Sequence, residues 1–128
     1  MADVVYRKKV LSIDDNREIA STLKSRFEEA GYDFDAAYSG QEGLVRMKSY
    51  KPDLVLLDIM MPGMDGFEVL RRIKADPETN GTPVIMLTAK RQREDVIRAI
   101  AIGAKAYIVK PTTFENIREK VDRALSTD

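Results

Sequence analysis

Four short apolar runs in this chain each stop at a side chain that can do chemistry. Val10-Leu11-Ser12-Ile13 stops at Asp14-Asp15, and Leu54-Val55-Leu56-Leu57 stops at Asp58. Val84-Ile85-Met86-Leu87 stops at Thr88, and Ala106-Tyr107-Ile108-Val109 stops at Lys110. Runs this short and this apolar read as strands buried on both faces. Taken singly, a strand-terminal Asp is a cap or turn former, a Thr is satisfied by local backbone, and a Lys before Pro is solvated. Such groups at four equivalent strand ends are much harder to assign to accident. In a parallel sheet those ends share one edge. Three carboxylates, one hydroxyl and one ammonium then converge from distant parts of the chain.

Physical chemistry narrows what that set can do. Three clustered carboxylates raise one another's pKa, and a divalent cation removes the cost. An all-oxygen site with few protein ligands and several waters suits magnesium. The lysine can pair with the carboxylates or with an incoming anion. A unit-charge pair at about 4 Å is worth about 4 kcal/mol at an effective dielectric near 20. Metal, ammonium and hydroxyl together match the needs of a transferring phosphoryl group, whose catalysis is mostly positioning and charge neutralisation. The chain has neither histidine nor cysteine. That removes Ser-His-Asp and Cys-His triads, imidazole bases, disulfides and thiolate zinc sites, and it leaves an aspartate as the phosphoryl acceptor.

The elements that must position these groups follow from periodicity. Asn16 can cap a helix whose stripe is Ile19, Leu23 and Phe27, with Gly31 past its end. Tyr32 to Ala37 alternates like a half-exposed edge strand. Ser39-Gly40-Gln41-Glu42 fits a capping box for a helix bearing Leu44 and Met47, which Lys51-Pro52 ends. Asp65 can cap a third helix with Phe67, Leu70 and Ile73 inside. Asp76 to Pro83 reads as a surface loop. A helix is expected from Lys90 to Ile102, closed by Gly103. Most of Val96, Ile97, Ile100 and Ile102 are expected in the core, with part of that face left for a partner. Arg91, Arg93 and Arg98 read as a solvated face of the same helix. Thr112 to Glu115 repeats the capping-box pattern before a stripe of Phe114, Ile117, Val121 and Leu125. Strand and helix alternate five times, which implies parallel strands, right-handed crossovers and helices on both faces.

Composition sets the outer limits. A chain of 128 residues is expected to be one domain with no need of staples. Lys+Arg and Asp+Glu are both 21, and the zero net charge argues against direct nucleic-acid binding or attraction to anionic membrane. Met1 to Lys9 is basic, but no apolar segment of signal-peptide length follows, and no run approaches a membrane span. A soluble, cytoplasmic protein is the expectation.

The sequence resembles the receiver domain of two-component response regulators. The resemblance covers about Lys8 to Ala124. It rests on Asp14-Asp15, Asp58 with Met61-Pro62-Gly63-Met64-Asp65-Gly66, Thr88-Ala89, Gly103-Ala104, Tyr107 and Lys110-Pro111, in order and at the family's spacing. It implies a flavodoxin-like (βα)5 α/β fold, a five-stranded parallel sheet in the order 2-1-3-4-5. The whole chain, 1–128, is expected to be a single receiver domain with no output domain visible. Asp58 would take a phosphoryl group from a histidine kinase or histidine phosphotransfer protein. Asp15, Asp58 and the Met60 carbonyl would bind magnesium directly, with Asp14 acting through water. Lys110 would contact the phosphoryl oxygens, and its bond to Pro111 is expected to be cis. Thr88 would move to the phosphoryl group and Tyr107 would follow it inward. That changes the surface of the fourth helix, fifth strand and fifth helix, where a downstream protein would bind.

In this family the positions of Met60 and Lys90 tune how fast water removes the phosphoryl group. Met60 is expected to obstruct the attacking water, and Lys90 adds charge near the site. Two other readings compete. A magnesium-dependent aspartate-nucleophile phosphohydrolase would want a second Asp where Met60 stands. A phosphorylation-independent binding module would not need the complete Asp14, Asp15, Asp58, Thr88 and Lys110 set. The expectation is a switch that catalyses only its own phosphorylation and dephosphorylation, not an enzyme acting on other substrates.

Overall fold

The computed structural model describes residues 6–126. Residues 1–5 of the basic N-terminal stretch and 127–128 of the short tail lie outside the described residues. The elements are β1 (Lys9–Ile13), α1 (Arg17–Glu29), β2 (Asp33–Ala37), α2 (Gly40–Tyr50), β3 (Leu54–Leu57), α3 (Gly66–Ala75), β4 (Val84–Thr88), α4 (Arg93–Ile102), β5 (Ala106–Val109) and α5 (Phe114–Ser126). The strands form one parallel sheet in the order β2-β1-β3-β4-β5. This is the α/β fold and strand order that the resemblance implied.

Successive strand side chains point to opposite faces, so a run such as Leu54-Val55-Leu56-Leu57 feeds two cores at once. Leu54 and Leu56 join Val10, Ile85, Leu87 and Ile108 on the face covered by Leu23 and Phe27 of α1 and Ile117 and Val121 of α5. Val55 and Leu57 join Leu11, Ile13, Val84 and Met86 on the face covered by α2, α3 and α4 through Met47, Phe67, Leu70, Ile73 and Ala99. Each large aliphatic side chain so buried is worth about 1.5–3 kcal/mol. The edge strand β2 is half-exposed at its start, with Asp33 exposed and Phe34 buried, but the alternation read from its sequence breaks at its end, where Ala37 is buried in the core.

Several caps form as their residues suggest. Asn16 accepts from the N–H groups of Glu18 and Ile19, Asp65 from that of Glu68, and Ser39 from that of Glu42. The reciprocal arm from Glu42 reaches the Tyr38 N–H at 2.5 Å rather than that of Ser39.

Two helix starts differ from expectation. α4 begins at Arg93, not Lys90, and its N-cap Gln92 makes no side-chain cap. The backbone of Lys90 is used elsewhere: its N–H goes to Thr88 Oγ1 and its carbonyl accepts from Tyr107. For α5, the cap is the Thr113 hydroxyl, which accepts from the Asn116 N–H at 3.1 Å, while Thr112 accepts from the Asn116 side chain. Glu115 of the expected box pairs with Arg26 of α1 instead.

The apolar excess of α4 is resolved against the core. Ala99 is its buried residue, Ile97 is 57% exposed and Ile100 47% exposed, while Ile102 is partly buried against the core. Only one narrow stripe of a helix leaning on α3 and β5 can face inward, and Ala99 occupies its centre. Arg98 is not simply solvated, because its guanidinium stacks over the Phe67 ring at 4.0 Å.

Candidate functional site

The strand ends are held level by the sheet itself. Asp14 N–H donates to Ala37 O (3.1 Å), Asp58 N–H to Ile13 O (3.0 Å) and Lys110 N–H to Thr88 O (2.9 Å). These bonds extend the parallel ladders by one residue past the apolar runs. The side chains that follow the runs therefore emerge side by side at the carboxyl edge.

There, Asp14, Asp15 and Asp58 each offer an oxygen within 4.8 Å of the others. Asp14 and Asp58 are buried and Asp15 is exposed. Lys110 Nζ lies 2.9 Å from Asp14 Oδ2 and 3.7 Å from Asp58 Oδ2. The second oxygen of Asp58 accepts from the Met60 N–H (3.2 Å), and the second oxygen of Asp14 from the Asn16 N–H (2.9 Å). Burial pushes the Asp58 carboxyl above the usual carboxylate range, and the Asp14 charge adds to it. The Thr88 hydroxyl, the Lys110 ammonium and the Met60 N–H act in the opposite sense. A buried carboxylate short of positive charge favours a cation or an electrophile in front of it.

The donor set fits magnesium. It is all oxygen, hard and clustered, and one of its members faces solvent. Asp15 supplies the open side through which a hydrated ion could enter.

Thr88 is fully buried, and its hydroxyl accepts from the Lys90 N–H (3.3 Å). Tyr107 is part-buried, and its hydroxyl donates to Lys90 O (2.7 Å). Met60 points its side chain outward and is 53% exposed. The Lys110–Pro111 bond is cis. The predicted residues Asp14, Asp15, Asp58 and Lys110 thus meet in one site. Thr88 faces Asp58, while Tyr107 and Lys90 sit one connection further out.

Sequence reasoning quoted Gly66 in the motif after Asp58 without reading its packing role, and it gave Asp95 no role. Gly66 packs its backbone against Asp58, which a glycine at the first position of a helix could have signalled. Asp95, on the first turn of α4, lies near Lys90, and its spacing from Lys90 carried no signal of its own.

Comparison with known proteins agrees with this geometry. A family model of the response regulator receiver domain matches residues 10–122. The chain is 34% identical over 117 residues to the phosphate regulon transcriptional regulatory protein PhoB of Rhizobium meliloti, a match that covers 91% of this chain and 52% of that protein. It therefore spans about half the length of that relative. The chemotaxis protein CheY4 of Vibrio cholerae superposes with a TM-score of 0.87 at 30% identity, covering 92% of this chain and 98% of that one. The signal receiver domain of a signal transduction histidine kinase from Syntrophus aciditrophicus superposes with a TM-score of 0.85 at 34% identity, covering 93% of this chain and 90% of that one. With its sheet order, its acidic edge and these matches in accord, the chain belongs to the response regulator receiver domains of two-component signalling.

Proposed function

We propose that residues 1–128 act as one phosphorylation-driven receiver unit in which Asp58 is the phosphoacceptor. The observation that carries this reading is the placement of the Lys110 ammonium between two buried carboxylates, 2.9 Å from Asp14 and 3.7 Å from Asp58. An ammonium so placed can stay with Asp14 while it meets an anion arriving at Asp58.

The donor is a phosphohistidine on a histidine kinase or a histidine phosphotransfer protein. An Asp58 carboxylate oxygen attacks the phosphorus, the P–N bond breaks, and the histidine takes up a proton. Lys110 pairs with the phosphoryl oxygens, and the Thr88 hydroxyl donates to one of them. Asp15, Asp58 and the Met60 carbonyl would hold magnesium, with Asp14 acting through water. When bound, the ion supplies positive charge against the transferring group. Buried neighbours such as Ile59 and Met61 exclude bulk water from beneath the acceptor. An apolar cavity of about 670 Å³ opens beside Lys110 between α1 and α5, lined by Ile19, Leu23, Pro111 and Phe114, and offers the donor protein a contact surface.

The signal leaves through Lys90. Its N–H is tied to Thr88 and its carbonyl to Tyr107, so a shift of Thr88 is felt on β5. The surface of α4, β5 and α5, with Ile97 and Ile100 exposed on it, is the face offered to a downstream protein. The setting is the cytoplasm, and no helix among the described residues is long and apolar enough to cross a membrane.

Incubation with acetyl phosphate and magnesium, followed by intact-mass measurement, tests the reading. One phosphoryl adduct is expected on the parent and none on Asp58→Asn. No adduct on the parent, or one that survives in the variant, refutes the assignment.

A further inference from the structure

Lys90 is tied by its backbone to Thr88 and Tyr107, while its side chain pairs with Asp95. The backbone is bonded on both sides, to the Thr88 and Tyr107 hydroxyls. The ammonium lies 3.7 Å from Asp95 Oδ1, on the first turn of α4. The Asp95 side chain is 14% exposed. Its other oxygen, Oδ2, is buried with no hydrogen-bond partner among the described residues. Burial, and after it the charges of Asp95 and Asp58, push the Tyr107 phenol up.

A carboxylate with one orphan oxygen is poorly neutralised, and it holds its cation accordingly. The Lys90 ammonium has two anionic destinations from one short loop. One is Asp95. The other is a phosphoryl group on Asp58, across the Thr88 hydroxyl to which Lys90 is tied.

We infer that Asp95 competes with a phosphoryl group on Asp58 for the Lys90 ammonium, and that by holding it back Asp95 shortens the life of the phosphorylated form. This rests on the reading of Asp58 as phosphoacceptor. Asp95 acts as a positioning residue. In hydrolysis the oxygen of a water bonds to phosphorus, the Asp58 O–P bond breaks, and inorganic phosphate leaves with the carboxylate restored. An ammonium released from Asp95 pairs with the phosphoryl oxygens and fills the space through which that water approaches.

The test is a double-mutant cycle of Asp95→Asn and Lys90→Met. Parent, single and double variants are phosphorylated with acetyl phosphate and magnesium, the donor is removed, and loss of the adduct is followed by intact mass. Asp95→Asn is expected to slow the loss about two- to fivefold, the scale of a partly exposed ion pair. In the Lys90→Met background the same change is expected to do nothing. A second readout needs no phosphoryl group. Acylation of Lys90 by a small amine-reactive ester, quantified on the peptide, is expected to rise in Asp95→Asn.

Equal slowing in both backgrounds overturns the inference, because Asp95 would then act through the loop and not through the ammonium. An unchanged decay or an unchanged acylation of Lys90 overturns it as well. If neither parent nor any variant gains an adduct, the reading of Asp58 has failed and takes this inference with it. Adducts that form normally but decay additively sink the inference alone.

Discussion

Gly66 lies so close to Asp58 that a Cβ on it would stand 2.3 Å from the Asp58 carbonyl oxygen and 2.6 Å from Ile59 Cα. The contact is backbone on backbone, and the Gly66 N–H also donates to Ile59 O (2.9 Å). The start of α3 is thereby seated against the strand end that carries the acceptor. Gly66→Ala is expected to cost about 1–3 kcal/mol, since the obstructing atoms cannot rotate aside. Urea unfolding measures it, and the yield of the Asp58 adduct should fall with it. Parent-like stability would mean that α3 shifts freely.

Asp58 is a charge the fold holds at a cost, through burial first and the Asp14 carboxylate after it. Asp58→Asn removes that charge and keeps the shape. Without metal at neutral pH, the variant is expected to have a higher thermal midpoint than the parent. Magnesium should then raise the parent's midpoint by binding the native state, and the variant's much less. Differential scanning calorimetry with and without the ion decides both points. A variant stabilised as strongly as the parent by magnesium would remove Asp58 from the metal site.

Tyr50 supplies a pH dependence away from the site. Burial first, then the charges of Asp33, Asp35, Asp53 and Glu28, push its phenol up to about 12. A raised pKa means stability that is full below pH 10 and lost as pH climbs through 12. Its hydroxyl is buried with no partner among the described residues. Tyr50→Phe is therefore expected to be neutral or stabilising by up to about 1 kcal/mol near neutral pH. Its alkaline unfolding should also begin at higher pH. Circular dichroism across an alkaline titration would show a contrary result as earlier unfolding.

Thr79 was read as part of a surface loop, yet it is buried, and its hydroxyl donates to Ile73 O at 2.7 Å. That carbonyl belongs to the last turn of α3, where helix carbonyls lack partners of their own. Thr79→Val keeps the volume and orphans the carbonyl. A loss of about 1–2 kcal/mol is expected in urea unfolding, and no loss would show that the loop is not a cap.

Much of the fold was legible because buried parallel strands leave an unmistakable trace. Leu54 to Leu57 had to be apolar on both faces, and the first polar residue after such a run has to mark its end. Asp14, Asp58, Thr88 and Lys110 were found by that rule alone. Caps at Asn16, Ser39 and Asp65 were legible for a similar reason, since their hydrogen bonds are made within the next few residues.

What the chain's own pattern leaves open is everything fixed by groups far apart in sequence. The 2-1-3-4-5 order came by resemblance, because periodicity does not say which strand lies beside which. Ile97 and Ile100 look like core residues on any helical wheel, but their exposure depends on how α4 leans against α3 and β5. α4 starts at Arg93, and the Lys90 carbonyl before it accepts from the Tyr107 hydroxyl of β5, a partner far away in sequence. By itself, then, the sequence determined which side chains reach the carboxyl edge. Tertiary structure decided their partners: Lys110 is nearer Asp14 than Asp58, and Lys90 is paired with Asp95. The reason is physical, since side-chain pairing at that edge is set by packing between elements, and nothing in the local pattern of one strand encodes it.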